Sequence, residues 1–584
     1  MQSQASDPFQ RSCAIIATPE LTLPLSPDQV TTESTSDTTA PTPGTAGSGS
    51  ALSPLKIRVF RSIWLANLVS NLGTWMHDLG AGWLMTSLAP DPFMVSLVQV
   101  AFVLPGFLLT IPAGALADIV DRRLFMLSAI LWMTSMAGGV GLVTVTGLVN
   151  PWSLIAFTFG LGMGAAMMMP AFTALVPDLV PKDQLTAAIT LNSIAMNVTR
   201  ALGPAIGGLL IAVAGPGPVF LLNAVSFAGI LFVIFRYRSM QPRSTLPSER
   251  FFGALRVGFR FARQSPALQA VLVRGVAFFS MMSGLFAFLP LIVRQEVGAG
   301  PQAYGLLVTS MGVGAVAMGV SLPRVRTLLS SDAVLLAGSG MGAVALLGVA
   351  HLRAVLPLAA AMFLAGVAWI SAMSTLQISA QLSLPAWVRA RGMAIYIASF
   401  LGSMAVGSAV WGRVASATDT TTALTIAAAW GVIVSLLASG WRLSAHALTD
   451  RSMATPFAEP TGIIPERPSN GPVMVTVEYR IETDERTGFE AAMRDVRRMR
   501  LRNGASAWGL YQDTEDEHRY VESFIDPTWL DHLRHMERHT VEDLEFKRVA
   551  EAFHRGDSPP KVTHLIARGA PRRRRYWFGG EPPG

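Results

Sequence analysis

Gly114-Ala115-Leu116-Ala117-Asp118-Ile119-Val120-Asp121-Arg122-Arg123 gathers two acids and two arginines into one short stretch, and on either side the sequence is uncharged over residues 93–117 and 124–149. About 20 apolar residues rising 1.5 Å each match the roughly 30 Å hydrocarbon core of a bilayer. The stretch therefore predicts a tight charged turn between two membrane-spanning helices.

Working outward, apolar segments fall near 61–88, 95–117, 124–147, 153–176, 186–213, 217–235, 270–293, 303–322, 332–351, 354–376, 388–413 and 422–443. Twelve spans are thus expected. The bulk numbers agree, since 51% hydrophobic residues, 14% charged residues and a mean hydropathy of +0.43 are those of a membrane protein. A net charge of +7 raises nucleic acid as a partner, but the arginines sit between apolar segments without a recognition-helix or zinc pattern, so no nucleic acid is expected. Cys13 is the only cysteine, which excludes disulfides within the chain and thiolate metal clusters.

Basic residues set the orientation. Arg122, Arg123, Lys182, the series from Arg236 to Arg263, Arg324, Arg326, Arg389 and Arg391 all fall in loops on one side, and the other side has only Arg294, Arg353 and Arg413 near helix ends. Positive charge marks the cytoplasmic face, so both termini are expected in the cytoplasm. Residues 1–53, rich in Ser, Thr and Pro, read as a disordered tail without a signal peptide, leaving the first helix to direct insertion.

The segments repeat. Val180-Pro181 and Leu384-Pro385 open two stretches that keep register, and an offset of 204 carries Gly203 onto Gly407 and Gly208 onto Gly412. Two six-helix halves with a path between them follow.

The charged turn resembles the loop between helices 2 and 3 of the major facilitator superfamily, Gly-x-Leu-x-Asp-x-x-Gly-Arg-Arg. Gly114, Leu116, Asp118, Arg122 and Arg123 match, whereas Ile119 and Asp121 depart from it. The resemblance implies that Asp118 and Arg122 gate the cytoplasmic side. Leu202-Gly203-Pro204-Ala205-Ile206-Gly207-Gly208 is similar to the Gly-Pro-x-x-Gly-Gly end of the helix 5 motif of proton-coupled drug antiporters, with Thr190 and Thr199 in the places of its upstream glycines. The chain as a whole resembles the enterobactin-exporter and multidrug-efflux branch, and the family of transmembrane secretion effectors.

Ionisable groups at bilayer depth are costly and mark candidate sites. Asp78, with His77 before it, lies roughly 25 Å along the first helix, and Arg200 about 21 Å along the fifth. Their similar depth suggests that they neutralise each other or alternate between pairing and proton or substrate binding; His77 points about 100° away from Asp78. Asn67, Asn71, Gln99, Asn192, Asn197 and Gln377 are candidates to line the cavity, with Gln381 beside them.

The connector 236–266 predicts an amphipathic helix on the inner leaflet, with Phe252, Leu255 and Phe259 on one face and Arg256, Arg260 and Arg263 on another. Residues 473–567 are charged and show soluble periodicities: a strand over 473–481, a helix over 487–503 with Phe489, Met493, Val496 and Met499 inward, a hairpin over 505–512 and 519–525, one helix over 527–554 and a strand over 561–566. That order implies a ferredoxin-like sandwich and resembles the dimeric α/β-barrel type, which makes dimerisation through this domain an expectation. His532, His535 and His539 share one helical flank, read as a solvated polar face rather than a metal set, and Trp508 and Tyr511 read as core and barrel lining. The basic end Arg572-Arg573-Arg574-Arg575-Tyr576-Trp577-Phe578 suits an anionic leaflet.

The expected class is therefore an all-α membrane protein with an appended α+β soluble domain. The expected organisation is a tail over 1–53, a six-helix half over 54–236, a cytoplasmic linker over 237–269, a second half over 270–445, a linker over 446–472, the soluble domain over 473–569 and a basic aromatic tail over 570–584. The expected function is proton-coupled efflux of a small amphiphilic molecule, of the drug or siderophore class, across the bacterial inner membrane by alternating access. No cofactor or metal is expected. The absence of a phosphate-binding loop argues against an ATP-driven pump. The alternative is a carrier fused to a cofactor-independent monooxygenase-like enzymatic domain or a ligand-sensing one.

Overall fold

The computed structural model describes residues 52–119, 121–236, 251–385, 387–443 and 471–567. The tail over 1–53 (apart from its last two residues), the linker over 446–472 (apart from 471 and 472) and the basic end lie outside the described residues, as do the side chains at 114, 118, 122 and 251–257.

The first helical set comprises α1 (Arg58–Leu88), α2 (Pro92–Ile119), α3 (Arg122–Val145), α4 (Pro151–Leu179), α5 (Leu185–Ala214) and α6 (Pro216–Arg236). After α7 (Phe251–Gln264), the second set comprises α8 (Pro266–Leu291), α9 (Pro301–Leu328), α10 (Ser331–His351), α11 (Val355–Leu382), α12 (Arg389–Ala417) and α13 (Thr420–Ala438). The helices begin where local chemistry lets them. Asn150 and Ser153 form a capping box ahead of α4, and Ser265, Ser330 and Asp419 cap α8, α10 and α13 by accepting from backbone N–H groups. α2 runs on to Ile119 and α3 begins at Arg122, so most of the stretch 114–123, expected as a turn, is helical, and the Asp121 carboxylate caps α3 by accepting from Leu124 N at 3.0 Å.

Most helices run longer than their apolar segments, because the first and last turns reach past the hydrophobic stretch. Among the described residues, eleven helices, α2 to α6 and α8 to α13, are long and apolar enough to cross a membrane. This is one fewer than the sequence led us to expect. α1, 31 residues long, falls short of the apolar measure; it contains Arg58, Arg61, His77 and Asp78.

The two sets pack alike. In the first, α1 contacts α5 and α6, α2 contacts α4, and α3 contacts α4 and α6; in the second, α8 contacts α12 and α13, α9 contacts α11, and α10 contacts α11 and α13. Across the sets, α2 lies along α12 and α5 along α9. Small residues make this possible, since between lipid-embedded helices attraction comes from close packing rather than from expelling water. α8 is the most deeply enclosed span, with Phe278, Phe279, Met281, Met282, Leu285 and Phe288 fully buried.

The soluble domain holds β1 (Val473–Arg480), α14 (Arg486–Asn503), β2 (Ala507–Gln512), β3 (Arg519–Asp526), α15 (Trp529–Glu537), α16 (Val541–Glu551) and β4 (Lys561–Ile566). Its sheet has the order β2-β3-β1-β4 with every neighbour antiparallel. Phe489, Met493, Val496 and Met499 of α14 bury against Val477, Tyr479 and Tyr520, as their helical spacing predicts. The single helix expected over 527–554 is two. Thr540 stops α15 and starts α16, its hydroxyl accepting from Asp543 N at 3.3 Å while Asp543 accepts from Thr540 N at 3.0 Å.

Candidate functional site

The seam between the helical sets is built on glycines. Pro204 lacks an N–H and leaves the Arg200 carbonyl without its helical donor, and around it α5 carries Gly203, Gly207 and Gly208. A Cβ on Gly203 would come within 2.6 Å of Trp75 Cβ, and one on Gly207 within 3.1 Å of Met76 Cα, so this face of α5 seats α1. A Cβ on Gly208 would meet Pro301 O at 2.5 Å and Gly305 Cα at 3.1 Å, so the adjoining face seats α9 of the other set. Further along, Gly312 would meet Ala201 Cα at 3.0 Å.

The second set repeats the device. Gly407 abuts Ser280 and Ser283 of α8, and Gly412 abuts Ser96 and Phe93 of α2. Glycines related by the offset of 204 thus make equivalent contacts. Gly203 and Gly407 each face the first helix of their own set, and Gly208 and Gly412 each cross to the second helix of the opposite set.

Polar contacts reinforce the seam at the end of the bundle where α1 joins α2. Asp91 caps α2 through Met94 N at 3.0 Å and accepts from Ser416 Oγ of α12 at 2.7 Å; the same hydroxyl accepts from Phe93 N at 3.0 Å. Arg294 donates to Thr86 Oγ1 at 3.2 Å and to Ser87, its guanidinium 5.3 Å from the Trp83 ring. These hydrogen bonds join the two sets at this end of the bundle.

Asp78 lies beside this closed region. Tyr304 Oη of α9 comes within 3.4 Å of where a Gly82 Cβ would be, one turn beyond Asp78 on the same face of α1, and Tyr304 stacks on Trp83 at 6.1 Å. Asp78 is half-buried, and among the described residues no hydrogen bond or ion pair engages its carboxylate. Arg200 does not pair with it. The guanidinium lies 5.3 Å over the Trp75 ring and its Nε is buried without a partner. His77 turns away into an apolar contact with Phe220 at 4.5 Å, both ring nitrogens unpartnered.

A family model described as transmembrane secretion effector matches residues 49–572. The chain belongs to that family. It is a multi-pass membrane protein of the major facilitator superfamily, and it spans 59% to 70% of the length of the curated relatives below. Over 253 residues it is 27% identical to the MFS-type transporter YfiS of Bacillus subtilis (strain 168), covering 42% of this chain and 59% of that one. Over 279 residues it is 22% identical to the staphyloferrin A transporter of Staphylococcus aureus, covering 48% and 70%, and over 265 residues 22% identical to macrolide efflux protein A of Streptococcus pyogenes, covering 45% and 65%. Among solved structures, the nucleoside transporter NupG superposes with a TM-score of 0.53 at 10% identity, covering 66% of this chain and 98% of that one. A bacterial homologue of the iron transporter ferroportin, in an inward-facing state, does so at 0.51 and 17%, covering 67% and 99%. These likenesses concern the fold.

Other positions singled out in this secretion effector scatter. Arg123 donates from Nε to Ile234 O at 3.3 Å and from Nη2 to Phe235 O, tying α3 to the end of α6; its partners Asp118 and Arg122 lie outside the described side chains, as does position 114. Asn67, Asn71, Gln99 and Asn192 are half-buried. Asn197 spends its amide on Ser193 O of its own helix at 2.8 Å, and Gln377 is exposed. Of the leaflet helix, Phe252, Leu255 and Arg256 lie outside the described side chains, Phe259 is 64% exposed, and Phe261 is buried.

α7 instead carries the soluble domain. Arg260 Nη1 donates to Gly504 O at 2.9 Å and to Ala505 O at 2.8 Å, where the carbonyls at the end of α14 leave partial negative charge. Arg502 lies 5.9 Å from the Phe261 ring, and Arg538 lies 4.7 Å from Trp387, which precedes α12.

The histidine flank of the soluble domain is buried, correcting the solvated face expected from sequence. His532 and His535 are each 1% exposed, and their Nδ1 atoms lie 2.9 and 3.0 Å from the two oxygens of Asp526. A fully buried carboxylate at the end of β3 accounts for it, since it gives both imidazoles a partner away from water. Burial alone would raise the Asp526 carboxyl, but the hydrogen bonds from His532 and His535 outweigh it and hold it below the usual carboxylate range. Burial lowers His535, and lowers His539 to about 3. No group of three or more metal-ligating side chains occurs among the described residues. Another buried carboxylate is that of Glu522, which accepts from Arg500 Nε and Trp508 Nε1, both at 3.0 Å.

Proposed function

We propose that this secretion effector exports a small amphiphilic molecule, of the drug or siderophore class, in exchange for protons by alternating access. The observation that carries the proposal is Asp78, an acid without a partner among the described residues, beside Tyr304 at the seam between the helical sets. A carboxyl so placed is charged in one arrangement of the halves and neutral in the other, because its solvation changes when they move apart. Arg200, whose Nε also lacks a partner, is the complementary group for an anionic part of the cargo.

In this reading α1 is the twelfth span, holding in the first set the place that α8 holds in the second. Its polar residues are tolerated because they face protein rather than lipid. The end bearing Arg123, Arg324, Arg326, Arg389 and Arg391 faces the cytoplasm of a bacterial inner membrane, with both termini on that side. The seam is then closed toward the outside, and Asp118 with Arg122 gates the inside. The domain divisions of the sequence analysis are kept, and the strand order β2-β3-β1-β4 supports a ferredoxin-like soluble domain, with a second copy pairing through it.

The test uses inverted vesicles and an amphiphilic dye. A pH gradient should drive dye uptake with the native chain and not with Asp78→Asn, and Asp78→Glu should restore part of it. Undiminished uptake by Asp78→Asn removes proton coupling at this residue.

A further inference from the structure

We propose that the cleft between α14 and the β2–β3 hairpin of the soluble domain binds a small anionic amphiphile, a flat apolar body bearing a carboxylate. The proposal stands apart from proton coupling and from the direction of transport, since it concerns binding alone.

The cleft has a volume of about 460 Å³, within the range of small-molecule sites. Its origin is legible in the spacing of α14. The apolar stripe of Phe489, Met493, Val496 and Met499 covers the middle of the sheet, and the flank that reaches the edge strand β2 carries Arg486, Glu490, Arg494 and Arg497. The inward side chains of β2 therefore lack an apolar cover. Trp508 and Leu510 stay half-buried, and with Met493 and Tyr520 they form a flat apolar floor.

The rim has net positive charge. Arg486 Nε pairs with Glu490 at 2.9 Å, which leaves Arg494 and Arg497 on the same side of the cleft without an acidic partner among the described residues. The Arg497 guanidinium lies 6.0 Å from the Trp508 ring. The indole in turn is fixed from below, its Nε1 donating to Glu522 at 3.0 Å, and Glu522 is held by Arg500. A ring anchored at its edge with its face open to the cleft is a preorganised stacking surface, and two guanidiniums above it supply the forked donors that a carboxylate takes up. A neutral body of the same shape gains the floor and forfeits the rim. An inorganic anion gains the rim and forfeits the floor.

The test is calorimetric titration of the full chain in nanodiscs with 1-naphthoate, against 1-naphthalenemethanol as the uncharged counterpart and empty nanodiscs as the blank. The native chain should bind naphthoate above the blank and the alcohol at least tenfold more weakly. Arg494→Ala with Arg497→Ala should weaken naphthoate at least tenfold. Arg498→Ala, which removes an arginine paired with Asp495 outside the cleft lining, should leave it unchanged. Naphthoate binding no stronger than the blank, equal binding of acid and alcohol, or full binding by the double variant would each overturn the proposal. Because no transport is measured, its failure is distinct from a failure of the exporter reading.

Discussion

The two helical sets are copies in their packing and differ in their chemistry. Gly203 and Gly407 each seat the first helix of their own set, and Gly208 and Gly412 each reach the second helix of the other. Where α1 carries Asp78 one turn beyond Trp75, α8 runs from Ser283 to Leu291 without a charge, and the offset that matches the glycines sets Met404 against Arg200. An ion pair inside the span of α8, Arg274 with Asp332, is internal to its set, and Asp332 also accepts from Leu443 N at 3.0 Å. The two sets thus share the backbone contacts of the seam, while Asp78 and Arg200, the groups proposed to couple protons and cargo, lie in the first set alone.

The largest effect should come from breaking the seam itself. Gly208→Val places a side chain against the Pro301 carbonyl and the Gly305 backbone, which have no rotamer to yield. Overpacking of about 3 kcal/mol, on the order of 100-fold in population, should disfavour the closed arrangement at this end. Gly412→Val should act less strongly, because Ser96 is a side chain that can turn. Cysteine cross-linking between positions on α5 and α9, in a Cys13→Ser background, checks both. Equal cross-linking in the native chain and Gly208→Val would show that the glycine contact does not set the equilibrium.

Next in size is the charge that only one set holds. Asp78→Asn should lower gradient-driven transport tenfold or more, whereas Met404→Leu, at the offset position of Arg200, should change it less than twofold. Flux in reconstituted vesicles across a range of external pH separates them. If both changes cost alike, the difference between the sets is one of packing and not of charge.

The segments, the charged turn and the repeated glycines could be read from the sequence because each is local. An apolar run, a break at Asp121, and Gly203 with Gly208 recurring at one offset need no knowledge of neighbours. What each glycine touches was not legible. Tyr304, Pro301 and Gly305 face α1 and α5 from a helix some hundred residues later in the chain, and periodicity within α9 does not say which helix it meets. The histidine flank failed for the same reason. His532, His535 and His539 stand beside Arg534 and Arg538, which reads as a wet surface until β3 brings Asp526 beneath it. The break at Thr540 went unseen because its capping partner Asp543 counts equally well as an exposed acid within a continuing helix.

The soluble domain differs from the membrane helices in its buried titrating groups. His535 and His539 are held below the ordinary 6.5 of histidine, and Asp526 below its ordinary 3.8. A lowered histidine is neutral when folded and charged when unfolded, so its contribution is complete above about 6.5 and is lost as pH falls through that value toward the folded one. The depressed carboxyl adds to stability above 3.8 and loses that contribution at still lower pH. Both signs agree, so acid should loosen this domain, first between pH 6.5 and 5. Relative to the intrinsic exchange rate at each pH, the β3 amides should lose protection over that interval while the amides of α8 keep theirs. Uniform behaviour in the two regions would mean that the buried histidines do not govern the domain's stability.

The smallest effect concerns the joint between the two regions. Arg260 donates to two carbonyls at the end of α14, and charge-assisted hydrogen bonds of this kind contribute about 1.5–3 kcal/mol where water is excluded. Arg260 is half-buried, which puts the expected loss in Arg260→Ala near the lower figure. The carbonyls of Gly504 and Ala505 then turn to water, so the domain itself stays folded and only its hold on α7 weakens. Trypsin should cut at Arg263, in the last turn of α7, several-fold faster, with the pattern inside residues 473–566 unaltered. Arg260→Lys should recover part of the protection, because one nitrogen, Nη1, makes both hydrogen bonds and an ammonium on a shorter, more flexible stem holds that position less firmly. If lysine restored full protection, charge alone would suffice, and the joint would be an electrostatic attraction without a fixed geometry.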